Sequence, residues 1–457
     1  MGHSDRINLS TLIDERPIGR MQIATFILCA SVAFLDGLDS QSIGVAAPFI
    51  VDALKLDKSQ LGFVFSAAVL GGVLSAMALG TLADRIGRKR VLIAAVTLFG
   101  IGTLATALAS SLGSLLAWRA LAGVGLGGAV PCFIALASEY APRRRRATIT
   151  SLLWAAFPLG GMTGGFVNST LIRHFDWHVI FIVGGVLPLV LAVVLAIWLP
   201  ESIRFLAARH ARQAALARVA TRFGWPANAQ YLFDDVRVEG APFRMLFAHG
   251  RAKATAFLSL TFFMAFGTLA VAVLWMPVLL RADGISTADT AIVIGFHGLG
   301  ALIGMAIVGR LVERFGGART LVPALLVGAV ATAATGYVGS SVVAASVAVA
   351  MIGVFVGVGA SGAIALAVLV YPTEVRSTGV GWSMGIGRLG QVVAPIVTGE
   401  LIQHGFTSAQ VLLVIGLAPA VAALSVIVMS AARMLPLSGA DTVRAVPPVI
   451  EENHAKL

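Results

Sequence analysis

Long apolar segments recur along the whole chain and are separated by shorter polar stretches. An α-helix of about 20 apolar residues crosses the hydrocarbon core of a bilayer, and sustained apolar runs of this length are typical of transmembrane helices. The pattern predicts twelve spans, at residues 21–48, 60–82, 91–110, 114–139, 147–170, 178–199, 254–280, 287–310, 320–339, 341–369, 377–402 and 407–432.

The polar stretches divide the chain into two halves with tails and a link. Residues 1–20 form an N-terminal tail, 21–199 a six-helix half, 200–253 a central link, 254–433 a second six-helix half and 434–457 a C-terminal tail. The link is rich in arginine and alanine, which favours short amphipathic helices on the cytoplasmic surface. The predicted fold class is therefore an all-α membrane protein with twelve transmembrane helices.

Composition and charge support a membrane protein and give its orientation. Hydrophobic residues make up 58% of the chain and charged residues 12%, whereas a soluble domain is about 25% charged. The net charge of +11 does not indicate nucleic-acid binding, because the basic residues are dispersed between apolar segments, as topology signals are. With both termini in the cytoplasm, 27 of the 33 lysines and arginines lie on the cytoplasmic side. The sequence therefore predicts a multi-pass protein with both termini in the cytoplasm.

Two motifs recur at nearly the same offset in the two halves. The segment at 80–90, Gly-Thr-Leu-Ala-Asp-Arg-Ile-Gly-Arg-Lys-Arg, resembles the segment at 309–319, and the Arg-Ala-Thr at 146–148 resembles the Arg-Ser-Thr at 376–378. Such repetition indicates duplicated halves. Parallel halves around a midplane site are the architecture of rocking-type transporters.

Two aspartates, Asp36 and Asp39, lie inside the first apolar segment. They are three residues apart and therefore share a helix face. A carboxylate near mid-membrane costs about 3 kcal/mol, so such residues usually have a function. We interpret Asp36 and Asp39 as a coupled site that binds and releases protons. The alternative is a structural pair neutralised by a neighbouring arginine.

Two arginines inside spans, Arg119 and Arg388, supply the opposite charge. Arg119 is predicted to be a counter-charge that switches the aspartate site, or else a static partner of Asp36 or Asp39. Arg388 lies near mid-depth of span eleven, where its planar donor fork suits a substrate carboxylate. Its alternative is an ion pair with a carboxylate of another span. The four groups would cost about 10 kcal/mol if unpaired, so we expect them around one hydrated central cavity.

Further side chains complete the predicted site. His297, midway along span eight, either hydrogen-bonds the substrate or packs with a backbone partner. Glu139, at the cytoplasmic end of span four, is assigned to proton coupling, as an ion pair of the inner gate near Arg143–Arg146 or as a proton exit relay. The other predicted substrate contacts are Trp382, Gln391 and Phe263, and the further candidates for an aromatic wall are Trp154, Phe266, Trp275 and Phe355.

An inner gate is predicted from the charged segments that follow spans two and ten. Its members are Asp84, Arg85, Arg88, Glu374 and Arg376. Asp84 is expected to accept from the positive N-terminus of span eleven, near Arg376.

At these residues the chain resembles the major facilitator superfamily. The segment 80–90 is similar to the superfamily signature between spans two and three, and 309–319 to its degenerate copy. The segment 119–127 is similar to an Arg-Gly motif of proton-coupled members. Asp36-Gly37-Leu38-Asp39 resembles the motif of the aromatic acid:proton symporters, and residues 371–381 and 387–390 favour the same group. Span five lacks the Gly-Pro dipeptide of drug/proton antiporters.

The resemblance implies a proton-coupled symporter that imports small aromatic carboxylates by alternating access, for the catabolism of aromatic compounds. Candidate substrates are 4-hydroxybenzoate, protocatechuate, benzoate and hydroxyphenylpropionate. The proton would be the coupling ion, with no cofactor, metal or nucleic-acid partner, and the family default is a monomer in the lipid bilayer. The alternatives are a symporter of another small organic anion, a drug/proton antiporter, or a receptor that binds without transport. An enzyme is not expected, since the spans contain no nucleophile–base constellation or cluster of metal ligands.

Overall fold

The computed structural model describes residues 6–207, 213–223, 225, 230–232, 243–248, 251–371, 375–432 and 434. In this part of the chain the first half consists of long helices that follow a short strand and helix. They are β1 (Arg6–Asn8), α1 (Leu9–Glu15), α2 (Arg20–Leu54), α3 (Lys58–Ile86), α4 (Arg88–Thr106), α5 (Leu112–Tyr140), α6 (Arg143–His174) and α7 (His178–Trp198).

The link and the second half follow the same outline. The link contains α8 (Ile203–Ala207), α9 (Gln213–Arg222), β2 (Gln230–Leu232) and a 3₁₀ turn (Phe243–Leu246). The second half consists of α10 (Ala252–Leu274), α11 (Met276–Ala282), α12 (Thr287–Phe315), α13 (Gly317–Thr335), α14 (Val342–Val370), α15 (Arg376–Gln403) and α16 (Ser408–Ala431).

The helices confirm the predicted fold class of an all-α membrane protein. Ten helices of the described residues are long and apolar enough to cross a membrane. The two further long helices, α6 and α15, are richer in glycine, serine, threonine and arginine, and they lie at the contact between the halves, α6 against α12 and α15 against α3. Their polar composition therefore fits a position in the protein interior rather than against lipid.

Two details differ from the predicted outline. The seventh span is broken at Trp275 into α10 and α11. Pro277 lies in the first turn of α11, where its missing N–H is tolerated. In addition, β1 pairs in parallel with β2, which joins the N-terminal tail to the central link.

The two halves repeat one packing pattern. In the first half α3 packs against α5, α2 against α6 and α4 against α7; in the second, α12 packs against α14, α10 against α15 and α13 against α16. Each pair occupies the equivalent position in its half. The packing confirms the duplication that the repeated motifs predicted.

The two ends of the helix bundle differ in how the halves meet. We name the end where α2 begins and α3 joins α4 the basic side, because Arg85, Arg88 and Arg143 lie there, and the opposite end, where α2 ends, the far side. On the far side one apolar core contains residues of both halves, among them Ile43, Phe65, Trp275 and Ile294. On the basic side each half has an apolar core of its own.

Polar contacts also join the halves toward the far side. Arg173 of α6 pairs with Asp289 of α12 at 2.9 Å, and Arg281 of α11 pairs with Asp52 of α2 at 3.4 Å. Nearer the middle, the Ser66 hydroxyl donates to the Val392 carbonyl at 2.6 Å. The halves are therefore closed together on the far side and have separate cores on the basic side.

Candidate functional site

A buried ion pair connects three helices of the first half near mid-depth. The Arg119 guanidinium of α5 donates to Asp39 of α2 through both terminal nitrogens, at 3.2 and 2.9 Å. The Thr103 hydroxyl of α4 donates to the same carboxylate at 3.0 Å. Asp39 is only 1% exposed. Because a two-pronged guanidinium–carboxylate contact is both strong and directional, this group holds α2, α4 and α5 together.

Asp36 has different surroundings from Asp39, although it lies less than one turn away. It is partly buried, and the hydroxyl of Ser40 lies close to it on the same helix. The strongest opposite charge acting on Asp36 is Arg388 of α15, with Arg119 weaker; Asp36 is likewise the acid that acts on Arg388. Asp39 and Arg119 therefore form a direct ion pair. Asp36 and Arg388 make no ion pair with any described residue, and their charges act on each other across the two halves over a longer distance.

Arg388 lies on a face of α15 that is open toward the basic side. One of its terminal nitrogens lies 3.6 Å from the position that a Cβ on Gly72 of α3 would occupy. Gly381 and Gly385 share its helix face, and a Cβ on either would have no atom within 4 Å. The face of α15 that carries Arg388 is therefore open on the side where the halves have separate cores.

Aromatic rings lie beside Arg388 on α10. Phe262 and Phe266 are stacked at 5.6 Å, and the Phe266 ring lies 3.2 Å from the position of a Cβ on Gly387. The backbone of Phe263 packs against Gly390. These contacts bring α10 against the segment of α15 that carries Arg388.

Other predicted aromatic contacts lie elsewhere. Trp382 packs edge-on against Phe247 at 6.1 Å, about 9 Å along α15 from Arg388 on the basic side. Trp275 is fully buried, donates to the Pro395 carbonyl at 3.0 Å and contacts Phe65, so it belongs to the far-side core.

The remaining aromatic candidates and Gln391 have the following positions. Trp154 packs against Phe133 within the first half, and Phe355 packs against the basic-side core of the second half. Gln391 is half-buried on α15.

Two buried side chains near the centre have unpaired polar atoms. His297 is 2% exposed, and no described residue bonds either ring nitrogen, so the backbone partner expected as its alternative is not found there. Gln41 is equally buried, and its Oε1 has no partner among the described residues. Its amide nitrogen approaches Gly161 of α6, which also contacts Gly298, the neighbour of His297. The sequence analysis considered charged groups and therefore missed Gln41. A polar residue two positions after Asp39, inside the first apolar span, could have pointed to it.

One member of the predicted inner gate, Arg88, joins an ion pair within the first half. Buried Glu139 pairs with Arg88 and accepts from the Ser202 hydroxyl at 2.6 Å. The sequence had placed Glu139 beside Arg143–Arg146, but Arg143 instead contacts Asp14, through its backbone N–H at 2.6 Å and its side chain at 3.5 Å.

The expected contact between Asp84 and α15 is not made in this structure. Asp84 accepts a hydrogen bond from Arg88 at 3.3 Å, and its side chain is 69% exposed. The neighbouring Arg85 is exposed as well. Arg376 donates to the Tyr371 carbonyl at 3.3 Å. Glu374 lies outside the described residues. Among the described residues, no hydrogen bond or ion pair joins Asp84 to Arg376, which agrees with the separate cores on the basic side.

Two similar halves, with a buried ion pair and further charged side chains inside the spans, are the features of a multi-pass membrane protein of the transporter class. The chain belongs to the major facilitator superfamily. The model described as Major Facilitator Superfamily matches residues 29–395 and 258–448. The protein is thus a member of a family of transporters and not of enzymes.

Curated relatives are named as transporters of aromatic acids. The chain is 35% identical over 429 residues to the 4-hydroxybenzoate transporter PcaK of Pseudomonas aeruginosa, covering 93% of this chain and 96% of that protein. It is 34% identical over 434 residues to the gallate transporter of Pseudomonas putida, with coverages of 94% and 96%. It is 36% identical over 402 residues to the 3-(3-hydroxy-phenyl)propionate transporter of Escherichia coli, with coverages of 87% and 91%.

Solved structures share the fold. The D-xylose-proton symporter aligns with a TM-score of 0.72 at 18% identity, covering 91% of this chain and 98% of that one. A bacterial homologue of the human lysosomal transporter Spinster, solved in an inward-facing, occupied conformation, aligns with a TM-score of 0.71 at 15% identity, covering 92% and 99%.

Proposed function

We propose that the protein is a proton-coupled symporter that imports small aromatic carboxylates across the bacterial inner membrane. It works as a monomer by alternating access, with the basic side and both termini in the cytoplasm. The observation that carries the proposal is that Arg388 of the second half and Asp36 of the first act on each other as opposite charges across the halves, beside open space along α15. The aromatic substrate class is supported by the names of the relatives.

The coupling step is a competition for Arg388. Arg388 stays charged and offers a planar fork that fits a substrate carboxylate. When Asp36 takes up a proton, Arg388 loses its counter-charge and binds the substrate anion instead. When Asp36 releases the proton, it again pairs with Arg388 and the substrate leaves. Proton and anion therefore move together, since each stabilises the state that the other requires.

The other site residues have supporting roles in this scheme. Phe266, which is partly buried, supplies an apolar ring near Arg388, and the fully buried Phe262 holds that ring in place by stacking on it. His297 offers an unpaired hydrogen-bonding group to a ring substituent. Asp39 stays paired with Arg119 throughout, because three donors stabilise its carboxylate. In this scheme Asp36 alone carries the transported proton, whereas the sequence analysis interpreted both aspartates as the proton site.

Uptake into proteoliposomes tests the proposal, with radiolabelled 4-hydroxybenzoate and an imposed pH gradient. The wild-type protein should accumulate the label when the outside is acidic. Asp36→Asn should still exchange label for unlabelled substrate but should lose gradient-driven accumulation, since its side chain cannot carry the proton. Asp176→Asn, a change at an exposed far-side carboxylate, is the matched control and should behave as the wild type. Wild-type accumulation by Asp36→Asn would contradict the mechanism.

A second variant tests whether Arg388 binds the substrate carboxylate. Arg388→Lys keeps the charge but loses the fork, so the KM for 4-hydroxybenzoate should rise roughly tenfold. An unchanged KM would exclude Arg388 as the anchor. Exchange driven by non-aromatic acids alone would favour the other symporter class, and substrate movement against the proton flow would favour a drug antiporter.

The membrane potential reports the number of protons. One proton with a monoanion moves no net charge, whereas a second proton adds one charge, worth about 2.3 kcal/mol per 100 mV. Asp39 is held in its charged form by the two-pronged contact with Arg119, so only Asp36 is expected to carry a proton. One proton then moves with each monoanion, and we expect uptake to be independent of voltage.

A further inference from the structure

A small pocket with a strong positive charge lies at the basic-side end of the first half. It has a volume of about 260 Å³ and is enclosed by the first turn of α4, the segment that follows α7, and α9. Its charged lining consists of Lys89, Glu201, Arg218 and Arg222, and Leu199 and Val219 supply apolar walls. Three cations and one acid give the pocket a formal charge of +2.

The acid in the pocket is already engaged with the backbone. Glu201 Oε1 accepts from the backbone N–H groups of Lys89 and Ser202, each at 2.9 Å, and so holds the start of α4 to the end of α7. The Lys89 ammonium donates to the Ala196 carbonyl at 2.7 Å, which uses one of its three donors. The pocket therefore retains unneutralised positive charge.

The two arginines are arranged for a shared anion. Arg218 and Arg222 are four residues apart and so lie on one face of α9, where like charges repel each other. Buried Leu216 and Ala220 attach the other face of α9 to the core of the first half. Phe223 stacks on Tyr140 at 4.8 Å and Trp225 packs on Phe223, which holds the end of the helix. The cations are therefore presented by a packed helix.

We propose that this pocket binds a phosphate group, supplied by the headgroup of an anionic lipid in the adjacent leaflet. A phosphate carries the charge and the oxygen geometry that two guanidinium forks and an ammonium bind. The pocket opens where α7 ends, and Trp198 of that last turn is 60% exposed, as is typical of an aromatic residue at the membrane surface. Basic residues at this level attract anionic lipids. The site lies outside the predicted transport pathway and does not depend on the proposed function.

Lipid retention measured by native mass spectrometry tests the proposal. Wild-type protein is released from nanodiscs of phosphatidylcholine and phosphatidylglycerol, and bound phosphatidylglycerol is counted. Arg218→Gln/Arg222→Gln should bind this lipid roughly tenfold more weakly, and glutamine preserves the helix. The matched control is Arg310→Gln/Arg314→Gln, which removes two exposed arginines of the same spacing from the basic-side end of α12. The control should retain the lipid as the wild type does.

Thermal unfolding gives a second readout and separates the sources of phosphate. Phosphatidylglycerol should raise the Tm of the wild type and the control, but not of the Arg218/Arg222 variant. If inorganic phosphate in pure phosphatidylcholine produces the same variant-sensitive shift, the phosphate site stands and its ligand is soluble. Equal lipid retention by the wild type and the pocket variant, or equal losses in both double variants, would overturn the proposal. Arg218→Lys/Arg222→Lys keeps the charge without the forks, and its retention should fall between the wild type and the glutamine variant.

Discussion

At the scale of single residues, two aspartates of one helix face have opposite environments. Asp39 accepts three hydrogen bonds, two of them from Arg119. Asp36 makes no ion pair with a described residue, and the strongest opposite charge acting on it, Arg388, lies in the other half. The three donors stabilise the Asp39 carboxylate in its charged form. Arg388, in contrast, belongs to the other half, so in the proposed mechanism it can exchange Asp36 for the substrate anion. The two positions therefore distinguish a structural role for Asp39 from the coupling role that we propose for Asp36.

Stability measurements should distinguish these roles. Asp39→Asn leaves the Arg119 guanidinium buried without an anion, which costs about 3–5 kcal/mol. Asp36→Asn removes an acid from a partly buried position and should lower the free energy of unfolding by less. Thermal unfolding of the two variants in one detergent gives the comparison. A larger loss of stability in Asp36→Asn than in Asp39→Asn would show that Asp36, and not Asp39, has the structural role.

At the scale of elements, glycines determine how closely helices of the two halves approach. A Cβ on Gly165 of α6 would collide with the backbone of Gly295 of α12. These two helices form one of the contacts between the halves. On α15, by contrast, a Cβ on Gly381 would meet open space. Glycine is therefore sterically required at the first position and not at the second.

Alanine substitutions should show this difference. Gly165→Ala forces α6 and α12 apart and should destabilise the protein by about 1–3 kcal/mol. Gly381→Ala should be neutral or stabilise by about 0.5–1 kcal/mol, because alanine loses less conformational entropy in a helix. The measurement is the Tm of each purified variant. Equal Tm changes would refute the packing argument.

At the scale of the whole molecule, ion pairs join the halves on the far side. Asp52 and Arg281 are 229 positions apart, the same offset as the repeated motif at 80–90 and 309–319, so they occupy equivalent places in the two halves. Arg281 also lies over the Phe49 ring at 5.2 Å. Because both members of the pair are exposed, it contributes at most about 1 kcal/mol.

Charge reversal should shift the far-side opening by a correspondingly modest amount. Arg281→Asp places two acids together and should increase the population of molecules open on the far side by up to about fivefold. Asp52→Arg/Arg281→Asp restores the pair but not the Phe49 contact, so recovery should be incomplete. Spin labels at Lys58 and Gln403, on the far-side ends of α3 and α15, report the separation. A double variant as open as the single one would exclude a pairwise interaction.

The sequence by itself determined the helices and their duplication. In lipid each span must satisfy its own backbone hydrogen bonds, so length and apolar content predict it locally. The break at Trp275 was missed, since α10 and α11 read as one apolar run. Charge inside spans is costly enough that Asp36, Asp39, Arg119 and Arg388 were recognisable without coordinates.

Only the tertiary structure decided which of these groups meet. A rotation of about 100° per residue separates neighbours on a helix, so small differences in helix orientation select between partners. Arg119 binds Asp39, Glu139 binds Arg88 rather than the arginines that follow it in the chain, and Arg388 interacts with an acid of the other half. The separation of Asp84 from α15 depends on how the two halves lie, which is a property of the conformation and not of any local sequence.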